Sequence, residues 1–349
     1  MLRITSSLLL LFFVTVGISL GQNIDKNTNS YTYTRMPSHP FPSSVQEYHV
    51  ETELYTTPGE SKYEIDKRIK GAIKIPRLTE STEHQGARFL VRLEGYTRTE
   101  IELNETSRKE KRGDEEISVP YYYYSFRYKY PIYFEVSLPD DANPIDKAYL
   151  VDASSTSYKS PEYKSSGQLA KWWSDNRSRV EAGLRTDILK AGVKRLQKRV
   201  NDKFAFTQVN EQVDFFTVKK FKGMDYTDVS NAYATASEAI AAIEPSDRVF
   251  SETFRAKMQS AVEQWENILT EQDLESRKAR INKKVAERMY RNIFQAFIMM
   301  DAFAEANATK ERAESMIKNA IPAALENTLK DRQHRYEANI NLEEQIAEN

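Results

Sequence analysis

The 349-residue sequence contains no cysteine, which excludes disulfides, thiol nucleophiles and thiolate metal sites together. Its 11 glycines are about half the usual share, which disfavours glycine-rich loops that bind phosphate groups. It also lacks the H-E-x-x-H, G-x-S-x-G, Walker and G-x-G-x-x-G motifs. The 50 basic and 51 acidic residues nearly balance, so no overall field favours nucleic acid. We therefore predict no catalytic residues and no cofactor, and enzyme activity stays uncertain.

Metal binding would have to rely on histidine and carboxylate ligands. The chain has only four histidines: His39, His49, His84 and His334. None has a second histidine or a carboxylate at metal-ligand spacing on a shared element, and we interpret each as isolated. The expectation is that the protein has no metal site.

The N-terminus has the three parts of a secretory signal peptide. Arg3 supplies a positive charge, Leu8 to Val16 is an apolar run, and Ser19-Leu20-Gly21 provides small residues for cleavage before Gln22. No cysteine follows, so a lipoprotein anchor is excluded, and no later apolar run is long enough to span a membrane. We predict an exported protein that is periplasmic, extracellular or outer-membrane-associated. The lack of cysteine favours a bacterial envelope.

The residue patterns after this signal change several times along the chain. We predict an α+β fold in which an antiparallel, sandwich-like β-domain precedes an α-helical domain. The predicted segments are a signal peptide (1–21), an extended lead-in (22–44), a β-rich domain (45–155), helices with a β-hairpin (167–223), a helical-hairpin domain (225–336) and a fraying tail (337–349). The charged stretch 105–116 is expected to be a mobile loop, and 204–221 a hairpin of undecided placement.

A tyrosine-rich strand follows the charged loop. In an extended strand, Tyr122, Tyr124 and Tyr128 share one face with Phe126. An exposed tyrosine face can bind sugars through its rings and hydroxyl groups. The alternative interpretation is that these rings form cross-strand pairs that stabilise the sheet.

Helical periodicity is strongest near the C-terminus. Apolar residues recur every three or four positions from Ile281 to Met300, and no proline or glycine interrupts Leu274 to Ala320. The pattern predicts a first helix of about 30 residues that begins near Leu274. Earlier stretches, 225–243 and 250–269, predict two further helices.

Part of this region resembles a tetratricopeptide repeat. The segment from Tyr290 to Ala306 carries Asn292, Ala296 and Phe297 where that family has its Y-x-N-L-G-x-A-Y pattern, and Ala313 lies in the following helix. Phe294 and Asp301 replace glycines of the family pattern, and about two irregular units are present. The resemblance implies helical hairpins with a concave surface that binds another protein, and Arg288, Asn292 and Phe297 are the candidate partner-binding residues.

The sequence therefore favours a non-catalytic, exported protein that binds or scaffolds an envelope protein. One alternative is a carbohydrate- or cell-wall-binding module that uses Tyr122, Tyr124 and Tyr128. A second alternative is a glycan hydrolase that uses a pair of carboxylates, although no pair can be chosen among 51 acidic residues.

Overall fold

The structure is a computed structural model that describes residues 23–347, apart from 58, 140, 142 and 220–222. Beyond residue 340 it describes the backbone alone. The predicted signal peptide, 1–21, lies outside the described residues.

The protein has the predicted α+β fold, with a strand-rich N-terminal region followed by C-terminal helices. The strands are β1 (Ile24–Arg35), β2 (Glu47–Leu54), β3 (Thr79–Glu80), β4 (Ala87–Leu93), β5 (Thr97–Arg98), β6 (Glu102–Arg112), β7 (Glu115–Lys129), β8 (Ile132–Ser137), β9 (Asp146–Val151), β10 (Thr156–Lys159) and β11 (Thr207–Val218). The helices are α1 (Lys62–Gly71), α2 (Ser166–Lys203), α3 (Thr227–Ile240), α4 (Glu252–Leu269), α5 (Lys283–Met299), α6 (Phe303–Met316) and α7 (Ala323–Ala347).

The chain divides into two compact units. Unit 1 comprises Met1–Tyr33 with Val209–Gln333, and unit 2 comprises Thr34–Gln208 with His334–Asn349. The longer segment of unit 2 is therefore inserted in the sequence of unit 1, and its shorter segment follows the end of unit 1. The predicted linear order of domains did not include an insertion.

Unit 2 contains a five-stranded mixed sheet in the order β3-β2-β4-β8-β9. The antiparallel prediction holds for β4–β8 and β8–β9, whereas β2 pairs in parallel with both β3 and β4. The parallel pairs arise because α1, which was not predicted, carries the chain from β2 back to the start of the next strands. Its Ile65 and Ile69 lie one turn apart and are buried in the core, where α2 contributes Leu196 and Val200.

The second sheet of unit 2 is built on the tyrosine-rich strand β7, which pairs with β5, β6 and β10. Residues 105–116 do not form the predicted mobile loop, because β6 and β7 continue as a hairpin up to the pair Arg112–Glu115. Gly113 has φ 68°, a backbone conformation that suits a glycine at the hairpin turn. Alternating charges along β6 are compatible with a strand, since backbone bonds to β7 hold it and charges protect an exposed edge.

Unit 1 combines the β1–β11 pair with α3 to α6 and the first part of α7. Residues 204–221 were predicted to form a hairpin, but β11 is one continuous strand. The polar residues at the expected turn instead have partners on β1, where Asn210 contacts Thr32 at 3.4 Å and Gln212 contacts Ser30 at 3.5 Å.

The prediction that a long helix begins near Leu274 is wrong, since α5 begins at Lys283. The side chain of Asp273 accepts hydrogen bonds from the backbone of Glu275 and Ser276, which favours a turn. Asn282 then caps α5 by accepting from the backbone N–H groups of Lys284 and Val285. The interruption needs no proline or glycine because short polar side chains bind the backbone instead.

The turn between α5 and α6 contains Asp301 in the left-handed conformation, with φ 59°. The tetratricopeptide pattern has a glycine there, which adopts this conformation without strain. The Asp301 carboxylate is buried and binds Arg332 at 2.7 Å, and Arg332 lies 4.7 Å from the centre of the Phe250 ring. Asp301 thus closes the turn and anchors α7 within unit 1.

Among the helices that the structure describes, none is both long enough and apolar enough to cross a membrane.

Candidate metal centre

A cluster of two imidazoles and one carboxylate lies on the outer face of the mixed sheet in unit 2. It consists of His49, Glu51 and His84, whose potential ligand atoms all lie within 4.8 Å of one another. His49 and Glu51 are two residues apart on β2, so both side chains leave the same face of the strand. The intervening Val50 points into the apolar core on the opposite face.

The loop that carries His84 is held against β2 by its backbone. Gly86 has φ 72°, and a Cβ atom there would lie 2.0 Å from the carbonyl oxygen of Glu47. Only glycine permits such a close approach. At the other end of the loop, Ser81 N donates to Tyr48 O at 2.7 Å, and the Ser81 hydroxyl accepts from the backbone of Gln85. The loop therefore presents His84 and Gln85 beside His49.

The Gln85 carbonyl orients the buried His49 ring. It lies 3.0 Å from Nδ1 of His49 and can only accept a hydrogen bond, so Nδ1 carries the proton. In the neutral ring, Nε2 then has a free lone pair. That nitrogen lies 3.6 Å from Oε1 of Glu51. A backbone carbonyl that fixes a histidine in this way is a common feature of metal sites.

Glu51 is held in place by Arg88 of the neighbouring strand β4. Arg88 Nε donates to Oε2 of Glu51 at 2.7 Å, which leaves Oε1 to face the two imidazoles. This hydrogen bond and the charge of Arg88 hold the pKa of Glu51 below its ordinary value. The carboxylate is therefore ionised at neutral pH, as a metal ligand must be.

His84 completes the cluster from the loop. Its Nδ1 lies 3.6 Å from the same Oε1 of Glu51, and its ring centre lies 5.1 Å from that of His49. The backbone of His84 is left-handed, with φ 58°, a conformation that is uncommon outside glycine and clusters at functional sites. The His84 side chain is 68% exposed, so it can adjust to a ligand whereas His49 is fixed.

The interpretation of all four histidines as isolated is wrong for this pair. The sequence contained one signal, the His-x-Glu spacing on a strand, which places two ligands on one face. His39 and His334 also lie close to each other, with ring centres 5.6 Å apart, and no carboxylate joins them into a metal cluster among the described residues.

The candidate partner-binding residues have partners inside unit 1. The side-chain amide of Asn292 exchanges two hydrogen bonds with the backbone of Phe216 in β11, at 2.8 and 2.9 Å. Arg288 stacks over the Phe216 ring, 4.8 Å from its centre, and Phe297 packs against the helical core. All three side chains contribute to the packing of α5.

Two of the three candidate glycan-binding tyrosines, Tyr124 and Tyr128, belong to an aromatic cluster with Trp173 of α2. Tyr128 is buried beside Phe126, and Tyr124 packs against Trp173 with ring centres 5.8 Å apart. Tyr122 is half-buried, and its backbone pairs with Tyr163. The geometry corresponds to aromatic packing of the sheet against a helix, which was the alternative interpretation of this strand.

The comparisons with known proteins give no independent assignment. No protein-family model matches the chain, and no curated protein matches it.

Proposed function

We propose that this protein binds a divalent first-row transition-metal ion, with zinc the best match, through Nε2 of His49, Oε1 of Glu51 and Nδ1 of His84. The observation that carries the proposal is the orientation of His49. Its Nδ1 donates to a backbone carbonyl, and its Nε2 faces an ionised carboxylate oxygen at 3.6 Å.

A cation between two electron-rich atoms that face each other at this distance would stabilise both of them. Without one, the lone pair of neutral His49 opposes the negative charge of Glu51 in a partly desolvated site. A metal ion between the two atoms would satisfy this arrangement.

The ligand set matches zinc better than it matches calcium or magnesium. Calcium and magnesium prefer oxygen ligands, whereas two imidazoles with one carboxylate suit zinc and its neighbours. Ligand atoms about 3.4 Å apart are expected around tetrahedral zinc with bonds of about 2.1 Å. The two observed separations from Glu51 are both 3.6 Å, close to that value, and all three ligand atoms lie within 4.8 Å of one another. The exposed His84 has room to move toward the other two ligands. Three protein ligands leave one position for water or a partner group.

Isothermal titration of the tag-free protein with Zn²⁺ at neutral pH tests the proposal. We expect one ion per chain, with affinity reduced at least tenfold in His49→Ala, which removes a ligand, and in Glu51→Gln, which replaces an anionic ligand by a neutral amide. Affinity should also fall as the pH is lowered, because protons compete for the imidazoles. Titration with Co²⁺ adds a spectroscopic reading, since visible absorption bands report its coordination number.

The matched control is His334→Ala, which removes an exposed histidine outside the cluster. This variant should keep wild-type affinity and stoichiometry. The proposal fails if Zn²⁺ and Co²⁺ do not bind, or if removal of His49 or Glu51 leaves binding unchanged.

The wider role that we propose is the one predicted from sequence, an exported protein that binds or scaffolds an envelope protein without catalysis. Its support is the signal-like N-terminus and the helical hairpins that resemble tetratricopeptide repeats. A pull-down from envelope extract tests it, and recovery of no specific partner would count against it. Carbohydrate binding and glycan hydrolysis stay predictions of the sequence.

A further inference from the structure

Unit 2 also contains a pocket whose lining residues do not include those of the metal cluster. It has a volume of about 580 Å³ and lies between the loop after β1, the segment after α1 and the end of α2. This volume falls within the range of about 300–1,000 Å³ that is typical of small-molecule sites. Its apolar walls come mainly from Pro40, Phe41, Ile75, Leu78, Phe204 and Phe206.

The walls are fixed by backbone hydrogen bonds. Ser38 N donates to Asp202 O at 3.1 Å and His39 N donates to Lys203 O at 2.8 Å, which joins the proline-rich loop to the end of α2. Phe41 stacks on Phe204 inside this junction, with ring centres 5.0 Å apart. Prolines restrict the loop further. The pocket is therefore formed before any ligand binds, and ordering it costs little on binding.

Arg77 is the one charged residue among the described residues that line the pocket. Its guanidinium lies 5.0 Å from the centre of the Phe206 ring, and within the described parts of the chain no carboxylate forms an ion pair with it. Ser43, Ser44 and Gln46 add polar groups at the pocket wall. The pocket thus combines an aromatic surface with a single positive charge that has no counter-ion among the residues that the structure describes.

We propose that this pocket binds a small amphipathic molecule with one anionic group. The apolar body of the ligand packs against Phe41 and Phe204, and its carboxylate or sulfonate pairs with Arg77. A guanidinium suits this task because its planar donors match a carboxylate. A cationic or uncharged molecule of the same length lacks this pairing and binds more weakly.

Competition binding on the full chain tests the proposal. The fluorescent probe 1-anilinonaphthalene-8-sulfonate has an aromatic body and one negative charge. Octanoate and octylammonium are the two competitors, which have the same chain length and opposite charges. We expect saturable binding of one probe per chain, displacement by octanoate, and at least tenfold weaker displacement by octylammonium. Arg77→Gln should weaken octanoate binding about tenfold, as expected for loss of one charge-assisted hydrogen bond.

Two variants separate this site from adventitious adsorption. Lys67→Gln removes an exposed positive charge outside the pocket and should leave octanoate affinity within twofold of wild type. Ser44→Trp places a large ring at the exposed pocket wall and should abolish probe binding. The proposal is overturned if neither probe nor octanoate binds, if octylammonium competes equally, or if Arg77→Gln or Ser44→Trp leaves binding unchanged in a protein with wild-type circular dichroism.

Discussion

At the scale of single residues, Asn292 joins a helix to a strand edge. β11 pairs with β1 along one edge, and the Asn292 amide binds both backbone groups of Phe216. Gln295, one turn along α5, donates to Asp214 O at 2.6 Å. These side chains satisfy backbone groups of β11, which a two-stranded sheet alone would leave unpaired.

We expect Asn292→Ala to lower the free energy of unfolding by about 2 kcal/mol or more, because two backbone groups lose their partners. Chemical denaturation followed by circular dichroism measures the change. If Asn292 instead served only to bind a partner, its removal would leave stability unchanged, and that result would contradict the present interpretation.

Asn307→Ala is the matched control for this experiment. Asn307 is an exposed asparagine on α6 whose side chain donates to Phe303 O, one turn earlier in the same helix. A change of less than about 0.5 kcal/mol is expected for a surface substitution of this kind.

At the scale of elements, α2 packs closely on the mixed sheet at Gly192. A Cβ atom at this position would lie 2.4 Å from Cδ1 of Ile132 in β8. The absence of a side chain at Gly192 therefore allows the short distance between helix and sheet. Glycine is a weak helix former, so this close packing comes at a cost in helix propensity.

Gly192→Ala should destabilise the protein by about 1–3 kcal/mol through overpacking. Ile132→Val removes Cδ1, the atom that the new Cβ would meet. In the Ile132→Val background, Gly192→Ala should therefore cost much less stability than it does in the wild-type protein. A double-mutant cycle by urea denaturation measures this coupling.

Gly183 provides a control in the same helix. A Cβ atom there meets nothing within 4 Å. Gly183→Ala should therefore stabilise the protein by up to about 1 kcal/mol through helix propensity alone. Destabilisation by both alanine variants would contradict the role assigned to Ile132.

Elements with a strong apolar period were predictable from sequence. The alternation in β4 and β8 and the helical faces of α3 and α4 all appear in the structure. The interruption at 274–282 was not predicted, because short polar side chains end the helical pattern without proline or glycine. The unpredicted α1 had a local signal in Ser61, whose hydroxyl accepts from the backbone of Glu64 and caps the helix.

The candidate site was less predictable than the elements. His49 and Glu51 were readable as neighbours on one strand face, but His84 lies in a distant loop. Only the parallel pairing of β2 and β4, and the close approach of Gly86 to β2, bring its ring to Glu51. Long-range register of this kind is not encoded in local periodicity.

At the scale of the whole molecule, stability in acid should depend on Asp146. This buried side chain on β9 accepts hydrogen bonds at 2.6 Å from both Nε and Nη2 of Arg199 and a third at 2.7 Å from Lys203, both on α2. Burial acts to raise the pKa of Asp146, but the hydrogen bonds from Arg199 and Lys203 outweigh it, and the pKa lies below its ordinary value.

A carboxyl with a lowered pKa in the folded state stabilises the protein above its unfolded pKa of about 3.9. We expect this contribution to be complete at neutral pH and to be lost as the pH falls below about 4 and through the folded pKa. Asp146→Asn should therefore be less stable at pH 7 and lose less stability between pH 5 and pH 3. Urea denaturation across that range checks both outcomes, and parallel curves for the two proteins would contradict them.

The pairing of β1 with β11 also sets the order of events during synthesis. β1 ends at Arg35 and β11 begins at Thr207, so β1 lacks its partner strand while the intervening chain is made. At a synthesis rate of roughly 5–20 residues per second, on the order of ten seconds or longer pass between the synthesis of β1 and that of β11. The nascent chain therefore exposes the unpaired backbone of β1 during this interval, and a chaperone can bind such a segment.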